Sequence, residues 1–315
     1  MLHLPLLHKL NLKFSAWTMS KVSVRHHAIV LSESKILKFC PEDVHKVFGI
    51  PCGHRNVRGR DGFILPEAVQ FIKGTLGMDK TGVHSLKAAE EFLLRDISES
   101  SSKLEKDYFQ IAFVIFVMGH VLAPTTKHDY ATIDYWGALA NTEAISQFNW
   151  CEYVLESLLE AVRRVKNNML AGNLNTNLVG CHLWLQVFFL DNINLGMFNK
   201  RHDVLPRIGT YDQASMRKIG TSVLSCYNCT VMSTLQRVCC SMVSFQIVCC
   251  NVCFGLAKYN SGETKMYAMS APSTQNAMKI VLTNHQLVVK EARALGMTQK
   301  QCQEQFMDLQ HRQPL

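Results

Sequence analysis

Seven of the twelve cysteines fall between Cys226 and Cys253, and two pairs among them carry the spacing of a metal knuckle. Cys226 and Cys229 are separated by two residues, as are Cys250 and Cys253, so each pair can turn two thiolates toward one tetrahedral ion. The quartet Cys226, Cys229, Cys250 and Cys253 is therefore the candidate zinc site. Against it stand the extra thiols Cys239, Cys240 and Cys249, which make a chance match easy, and an apolar intervening segment where zinc ribbons carry polar hairpins. Buried or non-native thiols explain the same residues. Their uneven placement argues against a disulfide framework and for reduced thiols inside a cell.

A second chemical candidate is the polar, Gly-rich loop from Cys52 to Gly62. His54, Arg55, Arg58 and Arg60 set four potential cations beside a helix, a pattern suited to phosphate, and Arg55, Arg58 and Arg60 are the nucleic-acid-binding candidates. The plainer reading is a solvated turn balanced by Asp61. Glu42, Asp43 and His45 share one helical turn, where capping and surface roles explain them more simply than acid–base catalysis. The sequence holds no G-x-x-x-x-G-K-[ST], G-x-G-x-x-G, G-x-S-x-G or H-E-x-x-H, so nucleotide-dependent and zinc-protease readings lack their usual anchors.

The elements that must carry these residues belong to a globular chain. Its 315 residues are 48% apolar with 33 Lys plus Arg against 25 Asp plus Glu, which excludes collagen-like, low-complexity or wholly disordered classes. At about 150 residues per domain there is room for roughly two domains or one large one. A net charge of +8 is too dilute to compel a nucleic-acid partner. Residues 1–32 lack Asp and Glu, but with a single Arg and few Ser an ordinary or truncated N-terminus is favoured over a transit peptide. The runs Ile111 to Leu122 and Leu183 to Leu190 are too short to span a bilayer and read as buried helices. Ser241 to Ala257 carries no charge, yet its 17 residues include Gln246 and Asn251, which disfavours membrane insertion.

Ala28 to Phe39 alternates around Ser32-Glu33-Ser34 as a short hairpin. Pro41, Glu42 and Asp43 open a helix that Gly49 and Pro51 stop. Helices are expected over 66–76, 85–96 and 104–122, the last ended by Pro124. Over 150–167, Val154, Leu155, Leu158, Leu159, Val162 and Val165 make one apolar face behind an Asn149 cap. Further helices are expected over 178–193, 211–219 and much of 273–312, while 221–257 shows no clean period.

Pro41-Glu42-Asp43-Val44-His45-Lys46-Val47-Phe48-Gly49-Ile50-Pro51-Cys52-Gly53 resembles a signature of the plant mobile domain, also called the aminotransferase-like plant mobile domain. Tyr108 to Pro124, Phe148-Asn149-Trp150-Cys151 and Gly180 to Leu195 with Leu190-Asp191-Asn192 are similar to the same family in order and spacing, over about residues 28–219. That family includes the maintenance-of-meristems proteins and transposon-encoded relatives. The resemblance implies a mostly helical domain in the nucleus, tied to transposon biology or gene silencing, and brings no catalytic residue with it. His182-Leu183-Trp184 is worded somewhat like the histidine strand of the ubiquitin-like proteases that accompany the family. No nucleophile block follows it, so His182 reads as a packed helix residue. Pyridoxal phosphate chemistry would need a Schiff-base Lys in an alternating strand–helix scaffold, which is absent from the pattern.

The fold class expected is mainly α: a helical domain over 28–219 with a short N-terminal β-hairpin, an irregular Cys-rich insertion over 220–262 and a helical tail over 263–315. Residues 1–27 form an N-terminal segment that could be disordered. The helices 104–122, 150–167 and 178–193 are expected to shelter one another's apolar faces. The function expected is a non-catalytic, transposon-derived interaction or chromatin scaffold with protein partners, no small-molecule substrate and no cofactor beyond the candidate zinc. The alternatives are a transposon-related hydrolase and a nucleic-acid module using the 53–60 loop.

Overall fold

A computed structural model of the chain describes residues 10–59, 64–78, 84–95, 97–127, 129–172, 175–196, 199–226 and 237–240. The chain divides into two units, Met1–Met269 and Ser270–Leu315, and the described residues all belong to the first. The protein is mainly α, with a short antiparallel sheet near the N-terminus.

The first helix, α1 (Leu12–Lys21), starts where Asn11 Oδ1 accepts from the Phe14 amide at 3.1 Å. Six successive residues, Phe14 to Met19, are buried, so the helix runs through the core rather than over it. This corrects the expectation that 1–27 could be disordered, for α1 at least. The physical reason is that Ser15 and Thr18 interrupt its apolar face in the sequence, whereas in the fold both are satisfied inside. Thr18 Oγ1 donates to the Phe14 and Ser15 carbonyls at 3.0 and 2.9 Å.

Strands β1 (Val22–Ser23), β2 (Ala28–Ser32) and β3 (Lys35–Lys38) form the antiparallel sheet in that order, the last two as the expected hairpin. The period of two turns Val22 and Ile29 inward, while the cross-strand pair Val30 and Ile36 faces solvent. Helix α2 (Pro41–Phe48) follows. Its first-turn Asp43 accepts from the Cys40 amide at 3.0 Å, and Gly49 closes it at φ +71°, a conformation costly for side chains with a Cβ.

A second group comprises α3 (Pro66–Leu76), α4 (Leu86–Leu93) and α5 (Lys103–Val117), which continues as a π-helical turn, Met118–Leu122, before Pro124. Ser102 and Glu105 form a capping box at the start of α5. Two 3₁₀ turns, Trp136–Leu139 and Thr142–Gln147, lead to α6 (Trp150–Leu170). Strand β4 (Asn175–Leu178) pairs in parallel with β5 (Arg237–Cys240). Between them come α7 (His182–Asp191), a 3₁₀ turn at Arg207–Thr210 and α8 (Gln213–Cys226). Thus part of the stretch expected to be irregular carries the end of α8 and β5.

Helix α7 is buried on every side from His182 to Leu190, as its continuous apolar run requires. Trp184 and Phe188 meet Phe39 edge-on at 5.3 and 5.7 Å, and Phe189 meets Phe14 and Trp17 at 5.6 and 5.3 Å. The partnership of helices differs from the expectation of three stripes sheltering one another. Helices α1 and α2 each pack against both α6 and α7, while α5 packs mainly on α4. The intervening helix α1 is the one whose buried face is hidden in the sequence by Ser15 and Thr18.

Candidate functional site

Two stretches singled out in the sequence, 41–53 and 148–151, are far apart in the chain and meet in the fold. Once Gly49 has ended α2, Cys52 forms an isolated antiparallel bridge with Asn149, and Arg55 a parallel one with Phe148. Gly53 N donates to Phe148 O at 3.1 Å, Arg55 N to Gln147 O at 3.0 Å and Asn149 N to Arg55 O at 2.7 Å. A Cβ on residue 53 would lie 2.1 Å from the Gln147 carbonyl oxygen, so only glycine admits this approach.

Asn149 joins the loop to the helix. Its Oδ1 accepts from the Glu152 amide at 3.0 Å, the cap expected for α6, and lies 3.5 Å from Cys52 Sγ. Replacing Asn149 by Ala should lower stability by about 1 kcal/mol in a urea titration, with Asn149→Ser recovering most of it. An unchanged midpoint for Asn149→Ala would remove the cap from the account. Inside the junction, Cys151 is fully buried and its Sγ donates to the Ile50 and Pro51 carbonyls at 3.5 Å each. Pro51, whose carbonyl Cys151 Sγ contacts, is the residue directly before Cys52, so the two cysteines are neighbours in the fold. Burial pushes both thiols above their ordinary range, and the Glu42 carboxylate works in the same direction.

The basic loop is arranged differently from a free cationic patch. Arg58 Nε donates to Asp134 Oδ2 and its Nη1 to Glu156 Oε2, both at 2.9 Å, while its guanidinium lies over the Tyr153 ring at 4.8 Å. Tyr153 in turn donates to Asp134 Oδ1 at 2.8 Å. The charge of Arg58 is thus met by two carboxylates and serves to hold the loop against α6 and the residues before the 3₁₀ turns. Arg55 stacks over Phe148 at 4.4 Å and reaches Gln147 Oε1 at 3.4 Å, and Arg60 lies outside the described residues.

His182 is packed in the core at the start of α7, with its Nδ1 2.8 Å from Ser15 Oγ. Ser and His at this distance could form a nucleophile and its base, but Ser15 and His182 are 0% and 1% exposed. Burial also holds the imidazole neutral, with its pKa pushed down to about 4. The pair therefore reads as a polar link between α1 and α7. The acids of α2 act as caps and surface partners: Asp43 also pairs with Lys46 at 2.8 Å, and His45 Nδ1 donates to Ile50 O at 2.7 Å.

Of the candidate zinc ligands, Cys229, Cys250 and Cys253 lie outside the described residues, and of Cys226 only the backbone, at the end of α8, is described. Among the described residues there is no group of three or more His, Cys, Asp or Glu placed to hold a metal, and no helix long and apolar enough to cross a membrane. One open groove runs beside α3 and α5, lined by Pro66, Glu67, Gln70, Phe71, Thr75 and Tyr108. Phe71 is 41% exposed and meets Tyr108 edge-on at 6.4 Å. Exposed Leu65 precedes α3 and exposed Leu104 lies in the first turn of α5. Sequence reasoning did not single out this surface, because Phe71 and Tyr108 stand on separate helices and nothing local shows that they meet.

The class defined by these features is a mainly α-helical domain whose loop–helix junction is held by backbone bridges, a buried Cys151 and a two-carboxylate arginine clasp. Residues 1–186, more than half of the chain, match a family described as a domain of unknown function, DUF8566, and the chain belongs to that family. No curated protein and no solved structure matches it.

Proposed function

We propose that the chain is a non-catalytic protein-interaction module, acting as a transposon-derived chromatin or gene-silencing scaffold in the nucleus. The observation that carries the interaction reading is the groove beside α3 and α5, which leaves Phe71 and Tyr108 at the surface with Glu67 as its one carboxylate. Aromatic rings in an open groove suit the apolar side chains of a protein partner. The polar clusters elsewhere support the same reading, since Arg58, Asp134 and Glu156 are engaged with one another in holding the loop. The nuclear and transposon-related setting rests on the resemblance of residues 28–219 to the plant mobile domain.

The reading is tested by proximity labelling with the full chain in plant nuclei, compared with Phe71→Glu and with the tag alone. A defined set of nuclear proteins should be labelled by the parent and reduced at least tenfold by Phe71→Glu, with helical content unchanged by circular dichroism. Equal labelling by the variant, or no enrichment over the tag, would overturn it.

A further inference from the structure

We propose that Cys52 and Cys151 are a modification site, closing to a reversible disulfide by exchange with a small-molecule disulfide of the glutathione type. The two cysteines come from separate elements, one on the loop after α2 and the other in the first turn of α6, and Cys151 Sγ contacts the carbonyl of Pro51, the residue directly before Cys52. They are brought there by the backbone. The Cys52–Asn149 bridge and the Gly53–Phe148 hydrogen bond hold the loop against the helix start, and Cys151 Sγ sits 3.5 Å from the Ile50 and Pro51 carbonyls. The juxtaposition does not depend on the interaction reading above.

The exposure of the two thiols sets the order of events. Cys52 is half-buried and Cys151 buried, so the external disulfide meets Cys52 first. The Cys52 thiolate attacks one sulfur of the oxidant, whose S–S bond breaks and releases one small thiol carrying the proton that Cys52 gave up. The Cys151 thiol, deprotonated in its turn, attacks the sulfur of Cys52 in the mixed disulfide and expels the second small thiol. Two protein thiols have then been oxidised and one small disulfide reduced to two thiols, with nothing left over. Burial first, and then the Glu42 carboxylate at both thiols and Glu152 at Cys52, disfavour the thiolates, so exchange is slow at neutral pH and quickens as pH rises. Other cysteines of the domain are placed differently: Cys40 is turned to Asp43 Oδ2 at 3.4 Å, and Cys181 is 1% exposed.

The bond formed would close a loop of roughly 100 residues, a length at which a cross-link restricts the unfolded chain strongly. Oxidation should therefore raise the melting temperature as well as lock the junction.

The experiment treats the full chain with oxidised glutathione at pH 8.5, blocks remaining thiols with N-ethylmaleimide and maps unreduced peptides by mass spectrometry. A linked pair of peptides containing Cys52 and Cys151 is expected. It should vanish on reduction with dithiothreitol and persist in Cys40→Ser. In Cys151→Ser, Cys52 should accumulate as the glutathione adduct. If that variant folds poorly, Cys52→Ser at the more exposed position supplies the same loss of the linked pair. The proposal is overturned if Cys52 and Cys151 both remain blocked by maleimide in the oxidised sample, or if Cys52 is found bonded to a different cysteine.

Discussion

Replacing Asp191 by Asn is expected to lower the free energy of unfolding by about 3–5 kcal/mol, the range for stranding one partner of a buried ion pair. Asp191 ends α7 and accepts from Arg207 through both of its oxygens, Nε to Oδ2 at 2.7 Å and Nη2 to Oδ1 at 2.6 Å. The two side chains are only 13% and 4% exposed, so water cannot replace the lost carboxylate. Tyr211 OH donates to Asp191 Oδ1 at 3.1 Å, and Arg207 Nη1 donates to Val204 O at 2.9 Å and to Arg201 O. One carboxylate thus ties the end of α7 to the 3₁₀ turn and to Tyr211, two residues before α8. Asn can accept from one donor, but it carries no charge and turns an amide toward the guanidinium. Chemical denaturation of Asp191→Asn, Arg207→Leu and the double variant Asp191→Asn/Arg207→Leu measures this. The double variant should lose less than the sum of the singles. Additive losses, or an Asp191→Asn loss under about 1 kcal/mol, would show that the pair is not coupled as its geometry requires.

The ease of reading each element in the sequence follows from where its partners lie. Helix α6 was legible because its apolar face recurs at three and four residues and Asn149 stands where a cap must stand. For α2, Pro41 at the start and Gly49 at the end mark both limits, and the hairpin β2–β3 shows its period of two around Ser32-Glu33-Ser34. Helix α1 was hidden because Ser15 and Thr18 sit on its buried face, and their partners include His182, which is 167 residues away. The clasp on Arg58 was hidden for the same reason. Its carboxylates, Asp134 and Glu156, stand 76 and 98 residues further along, and nothing local distinguishes them from solvated acids. The meeting of Cys52 with Cys151 was half legible: both blocks stood out in the sequence, while their contact depends on Gly53, whose missing Cβ lets the Gln147 carbonyl approach.

Stability should fall by roughly 3 kcal/mol as pH is lowered from about 6.5 to about 4, because His182 is held neutral in the fold. The ring sits at the end of a chain of polar contacts that begins at Asn11. Asn11 O can only accept, so Gln186 turns Nε2 toward it at 3.1 Å and donates from the same nitrogen to Ser15 Oγ at 2.5 Å. Ser15 keeps its own proton free to give to His182 Nδ1 at 2.8 Å, an arrangement in which that ring nitrogen is the unprotonated one. A proton arriving there would face burial and force the Ser15 hydroxyl to turn away. Since burial lowers the folded pKa below the unfolded 6.5, the unfolded chain takes up the proton first. The loss therefore begins as pH drops through 6.5 and is complete below the folded value of about 4. His84, lowered by burial and then by nearby Lys73, adds to the loss with the same sign. The His182 share is isolated by His182→Gln, which cannot titrate. Denaturation midpoints from pH 7 to pH 4 should show the parent losing its advantage over the variant by most of this amount. Parallel curves would mean that the imidazole is reached by water and carries no such penalty.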